Sequence, residues 1–382
     1  MNSRERVITS LNHKEPDRIP IDLGGTIVTS ITKNAYIDLK RYLDLEIEDV
    51  KIFDYVQQLP YIDEELLERL NVDVRMVATH YVSTSSQKIY EEGDYYYFYD
   101  RWGSKLSMPK KNGHYFDWVE FPINEISIEA LKKYKWPEVD SKEYILELKE
   151  KAKFLYENTD YALVGTAIFG GGIFEQPCRI MGMERFLTSL VTNKRFANEV
   201  MEKITELYIE NSSQYLDEIG KYIKVFVYWN DIAAQTGPMI SPEIYHKLIK
   251  PKDKKLIEIV KSKTGAKVFY HSCGAVKDFI PDLIDIGVDI LNPVQVSAKG
   301  MDTAELKKEF GDHITFWGGG CDTQHILPYG TPKEVCEEVK RRINDLAEGG
   351  GFVFNAVHNI QGGVPPENIM AMFETLEDYG KY

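Results

Sequence analysis

The chain has 382 residues, 43% of them hydrophobic, 12% aromatic and 28% charged, a composition that carries a large packed core and excludes a disordered chain. Acidic residues outnumber basic ones, 60 to 46, for a formal net charge of -14; the lysines of 250–255 are broken by Asp253 and Lys340, Arg341 and Arg342 are flanked by acids, so a nucleic-acid partner is not expected. The polar first residues and the lack of any apolar run near the roughly 18 residues of a membrane span predict no secretory leader, no membrane insertion and a cytoplasmic location.

Eight short runs rich in β-branched and aromatic residues follow in chain order: 18–23, 73–79, 161–168, 224–230, 266–271, 289–294, 314–317 and 351–357. From the third onward most are separated by amphipathic stretches of helical length, such as 242–263 and 332–347, which makes the pattern a repeated βα unit. Val225 to Trp229 and Val268 to Tyr270 are apolar at consecutive positions, as parallel strands covered on both faces should be. Eight such strands predict closure into a (β/α)₈ TIM barrel. An open doubly wound sheet would carry a G-x-G-x-x-G turn after its first strand, and Gly24-Gly25-Thr26 does not continue that pattern. Residues 31–70 read as helical, and 87–108 as an inserted hairpin, within a single barrel domain spanning 1–382.

Barrels of this kind place their chemistry where strands end. There this sequence has Asn230-Asp231, His271-Ser272-Cys273-Gly274, Gln295, Gly318 to Asp322, and Asn355 with His358 and Asn359. His271 and Cys273, two apart at a strand end, can point to one side of the sheet, and Cys321 follows the seventh run after three glycines. Imidazole and thiolate suit a borderline-soft metal, and three protein ligands leave a fourth position open, so His271, Cys273 and Cys321 are expected to hold a catalytic zinc. As buried small hydrophobes the same cysteines would need no metal, the reading given to Cys178 and Cys336. Asp231, Glu175 and His358 are the candidate catalytic groups, although Asp231 also fits a helix N-cap and Glu175 a first-turn helix charge. Asn230, Tyr228, Gln295, Asn355 and Asn359 are the candidate substrate contacts, with His80 and Arg179 as further ones. Tyr96, Tyr97 and Phe98 belong either to the site or to packing within the hairpin.

The motifs resemble the uroporphyrinogen decarboxylase superfamily, and within it the zinc-dependent methyltransferases that work with corrinoids. The resemblance runs from Ser3-Arg4-Glu5-Arg6 and Glu15-Pro16-Asp17-Arg18-Ile19-Pro20, through Asn230-Asp231, Gln235 and Gly237 to Pro242, to His271-Ser272-Cys273-Gly274 and Pro365 to Ile369. It implies a barrel fold, a zinc ion on the H-x-C pair and a later cysteine, and methyl transfer to or from the cobalt of a cobalamin. The chain lacks a D-x-H-x-x-G cobalamin motif, so the cobalamin would belong to a partner corrinoid protein; a homodimer is also compatible. True decarboxylases of the superfamily carry an arginine-rich R-Q-A-G-R-Y motif, and the comparable strand end here, Asp22-Leu23-Gly24-Gly25-Thr26, has no arginine. Four functions stay open: demethylation of a methoxylated compound, methyl transfer from methylcobalamin to a thiol, decarboxylation, and zinc or corrinoid binding without catalysis. Two thiolates would cancel the zinc charge and favour the thiol reaction, whereas an aromatic setting favours an aromatic methyl donor.

Overall fold

The computed structural model describes residues 1–79 and 87–382; His80 lies outside the described residues. Along the chain, β1 (Val74–Ala78) is followed by an inserted group, β2 (Tyr90–Glu92), β3 (Tyr95–Tyr99), β4 (Lys105–Pro109) and β5 (Asp117–Glu120). The series resumes with β6 (Ala162–Thr166), β7 (Val225–Trp229), β8 (Lys267–His271), β9 (Ile290–Asn292), β10 (Thr315–Trp317) and β11 (Phe352–Val353). The parallel strands pair in the order β11, β10, β9, β8, β7, β6, β1. All five residues of β7 are buried, because the barrel interior covers one face and the helices cover the other.

Residues 18–23, expected as the first strand, form no ladder of their own. Pro20 has no N–H to donate, which rules out a regular ladder there. The segment still fills the eighth position. Phe354 donates to the Pro20 carbonyl (2.8 Å), Asp22 donates to that of Phe354 (2.9 Å), and Asp73 donates to that of Ile21 (2.9 Å), so β11 and β1 are joined through it and the fold is a (β/α)₈ barrel.

The predicted hairpin at 87–108 is half of a larger unit. Strands β2 to β5 form a four-stranded antiparallel sheet, pinned by Phe98 edge-on to Phe116 at 4.9 Å. Tyr97 stacks on Tyr90 within the same sheet, so these aromatic residues pack the insertion. Three helices bear on the site: α1 (Glu175–Met181), α2 (Lys250–Lys263) and α3 (Pro332–Leu346). The expected helix over 242–263 is interrupted by a π turn at Tyr245–Ile249. It ends two residues before Pro251, whose missing N–H removes one rung of the helical ladder.

Candidate metal centre and active site

His271 ends β8 and Asn292 ends β9, one strand over and in register with it. The Asn292 amide nitrogen donates to the Trp317 carbonyl (2.7 Å), which leaves its oxygen facing His271 Nδ1 at 2.5 Å. Nδ1 therefore carries the proton, and the lone pair of Nε2 is free to bind an ion. Nε2 lies 3.6 Å from Cys273 Sγ. Burial drives the His271 imidazole down to about 4 and the His358 imidazole to about 3, so both rings are neutral, the form in which imidazole ligates a metal.

The third member of this group is His358, not Cys321. Donor atoms of His271, Cys273 and His358 all lie within 4.8 Å of one another, and the two imidazole rings are 5.6 Å apart at 64°. Cys321 is fully buried, and the charged groups that its thiol senses are Glu338, Asp322 and Arg342, two of them on α3. Gly318 and Gly319 have φ of +95° and +81°, conformations that turn the chain before Cys321 and that a side chain would strain. The expected ligand Cys321 thus stands outside the cluster, and His358, expected among the catalytic groups, belongs to it. Two imidazoles and one thiol at these separations suit zinc, whose bonds of about 2.0–2.3 Å need only a slight closing of the trio. Burial and the carboxylates of Asp231 and Glu175 hold the Cys273 thiol well above its usual range, and a bound cation would reverse that by stabilising the thiolate.

Asp231 and Glu175 flank the cluster. Asp231 Oδ1 accepts from the Cys273 N–H (2.7 Å) and lies 3.8 Å from His271 Nε2. Burial pushes both carboxyl groups up. Glu175 also pairs with Arg179 one helical turn along α1. A cavity of about 220 Å³ opens here, lined by Glu175, Arg179, Trp229, Asp231, His271 and His358 from the barrel, and by Tyr115, Phe116, Asp117 and Trp118 from the insertion.

Of the expected substrate contacts, Arg179 lines this cavity, whereas Tyr228, Asn230, Gln295, Asn355 and Asn359 hold its walls. The Tyr228 hydroxyl donates to Asp253 (2.7 Å) and accepts from the Ile173 N–H (3.1 Å). Asn230 Oδ1 accepts from Phe174 and Glu175 N–H (3.0 and 3.3 Å), fixing the start of α1. Gln295 Oε1 accepts from the Gly274 N–H (2.6 Å) and holds the turn after Cys273. Asn355 donates to the carbonyls of Asp22 and Thr29 (3.2 and 3.3 Å), while Asn359 accepts from the Ser30 N–H (2.6 Å) and donates to the Ile27 carbonyl (2.9 Å). Each amide sits at a strand end because loops there have unpaired backbone groups to satisfy. Tyr115, Phe116 and Trp118 were not anticipated: they come from sequence more than 100 residues away from the cluster, and only the dense aromatic content of the insertion hinted at them.

A metal-capable trio with two carboxyl groups at the strand ends of a (β/α)₈ barrel defines the chain as an enzyme of the barrel type, with its site at the C-terminal mouth. The family described as Uroporphyrinogen decarboxylase (URO-D) matches residues 95–379, and the chain belongs to that family. Curated relatives are distant. A uroporphyrinogen decarboxylase of Chlorobium limicola is 24% identical over 190 residues, covering 48% of this chain and 49% of the relative; the chain thus spans about half the length of that relative. A uroporphyrinogen decarboxylase of Geotalea uraniireducens is 26% identical over 288 residues, covering 71% and 77%. Among solved structures, a methyltransferase from Methanosarcina mazei superposes with a TM-score of 0.63 at 13% identity, over 99% of both chains, which is agreement in fold.

Proposed function

We propose that this protein is a zinc-dependent methyltransferase that takes the methyl group from a small methoxylated compound and passes it to the cobalt of a corrinoid held by a separate protein. The observation that carries this reading is His358 in the cluster. One thiolate and two neutral imidazoles leave a zinc ion with one net positive charge, where two thiolates would leave none. Zinc bound there would supply Lewis acidity toward an ether oxygen, in a position left open by three protein ligands.

The chain's own residues do the rest. As the methyl carbon is displaced, the electron pair of the C–O bond stays on oxygen, which must take up a proton to leave as a hydroxyl group. Asp231 and Glu175, whose carboxyl groups keep their protons to higher pH than usual because they are buried, stand beside the cluster as the donors. Trp229 and the 115–118 segment wall the reacting centre. Porphyrinogen decarboxylation fits the cavity poorly. Arg179, the guanidinium in its lining, is already paired with Glu175.

The test is metal content and methyl transfer to added cob(I)alamin, comparing the wild type with three variants. About one zinc per chain, lost in Cys273→Ala and His358→Ala together with demethylation of methoxylated compounds, and retained in Cys321→Ala, is the expected result. Zinc loss in Cys321→Ala with retention in His358→Ala would restore the two-thiolate site and with it the thiol-methylating reading.

A further inference from the structure

The ring of strands leaves a second cavity at its seam. Among the described residues, β1 forms a ladder on one side only, with β6. On its other side the chain turns at Gly24 (φ +80°), whose N–H donates to the Thr29 carbonyl (2.7 Å) and closes a loop. Between β1, that loop and the helix Lys142–Asn158 lies a space of about 320 Å³. Its lining includes Leu23, Phe53, Leu59, Met76 and Leu148. Arg75 and Glu64, also in the lining, are paired with each other (2.7 Å), and Lys151 is exposed at the rim. The inner part of the space is therefore apolar and holds no unpaired charge among the described residues.

This space meets the cluster cavity. Of the described residues, Ile27 alone lines both. A narrow void beside it is walled by Trp229, from the cluster cavity, and by Thr26, Met76 and Ala78, from the second cavity. Trp229 is held by its bond to the Gly170 carbonyl. The Ile27 backbone is held as well, its carbonyl accepting from Gln57 (3.1 Å) and Asn359 (2.9 Å). What divides the two spaces is thus one aliphatic side chain on a fixed backbone, which a change of rotamer can swing aside. A compound whose reacting group sits at the cluster has a direction in which an apolar substituent can extend, leaving water for an apolar wall.

We propose that the two cavities form one substrate site, with the methoxy group at the cluster and an uncharged alkyl substituent of the same molecule in the second cavity, and that Ile27 sets how far the substituent reaches. This rests on the demethylation reading above, and it is tested by binding alone, without corrinoid. Zinc-loaded protein is titrated by calorimetry with 2-methoxyphenol and its 4-methyl, 4-ethyl and 4-propyl derivatives. Each added methylene should tighten binding about fourfold, so that the propyl compound binds about sixteen times more tightly than the methyl one. Leu148→Trp, which fills the second cavity from the outer helix, and Ile27→Phe, which narrows the passage, should each bring that ratio close to one with zinc content unchanged. Affinity that ignores chain length, a ratio that survives either substitution, or binding of no member of the series overturns the proposal. Methyl transfer from 2-methoxyphenol to cob(I)alamin without any gain along the series would sink this inference and leave the demethylation reading standing. A gain abolished by both substitutions, without methyl transfer, would support the two-cavity site and count against demethylation.

Discussion

Asn292 decides which nitrogen of His271 faces the cavity, because its own amide is oriented by the Trp317 carbonyl. Asn292→Ala should therefore lower zinc affinity by about 10–100-fold, read by competition with a chromogenic chelator; unchanged affinity would mean that the imidazole is held by packing alone. Asp253 has a comparable role in the layer outside. It is buried on α2 and accepts from Tyr228, Tyr270 and Asn230, the neighbours in sequence of Trp229, His271 and Asp231. Burial pushes its carboxyl group up to about 7, so between the ordinary carboxylate range and about pH 7 the folded chain binds a proton that the unfolded chain has lost. That contribution to stability is full below about pH 4 and fades as the pH rises to about 7. Asp253→Asn should flatten this slope in urea titrations across that range; an unaltered slope would assign it to other groups. At this scale the sequence was readable where chemistry is local. His271 ends β8 and Cys273 lies two residues on, in the turn after it, a spacing that places them on one side. The third donor was not readable, because the backbone turn at Gly318 and Gly319 directs Cys321, and His358 reaches the cluster only through the closed ring. Amides at strand ends looked like substrate contacts for a similar reason: a donor or acceptor in sequence does not reveal whether it faces a ligand or a neighbouring loop.

Among the elements, the start of α1 is tightly built. A Cβ added to Gly172 would lie 2.3 Å from the Trp229 carbonyl oxygen and 2.4 Å from Asn230 Oδ1, contacts with backbone and with a side chain that is itself bonded to Phe174 and Glu175. Gly172→Ala should destabilise the protein by about 1–3 kcal/mol and displace Glu175, so that the proposed activity falls further than the loss of folded protein explains. A stable variant with full activity would show that this loop can shift without consequence. The helix α3 is a simpler case, in which sequence and structure agree completely. Thr331 accepts from the Glu334 N–H, Glu334 accepts from the Thr331 N–H, and Pro332 occupies the first turn, the arrangement that a Thr-Pro-x-Glu run specifies. Thr331→Ala should cost about 1 kcal/mol in chemical denaturation.

For the whole molecule, closure depends on a segment that is only partly strand. Asp73, fully buried, accepts from Arg6 (2.6 Å), Arg18 (2.7 Å) and the Ile21 N–H (2.8 Å), joining the N-terminal helix Ser3–Leu11, the closing segment and the start of β1 at one carboxylate. Asp73→Ala should cost about 3–5 kcal/mol, the usual effect of leaving buried charges unpaired, measured as the shift of the urea transition; a loss under about 1 kcal/mol would mean that the backbone bonds close the ring unaided. The alternation of strands and helices was legible from the third run onward because both-face burial leaves continuous apolar runs, whereas 31–70, read as helical, also holds the paired strands Ile52–Asp54 and Leu59–Pro60. The irregular eighth position was hidden, since Pro20 breaks the ladder while the flanking residues keep the composition of a strand. The same closure bears on the order in which the protein is assembled. Two members of the cluster come from β8 and the turn after it, whereas His358 follows β11 and is flanked by Asn359, which is bonded to Ser30 and Ile27 beyond the seam. A metal held by all three would be captured only after the two ends of the barrel had met, so that uptake of the ion would follow completion of the fold and would mark chains in which the ring is whole.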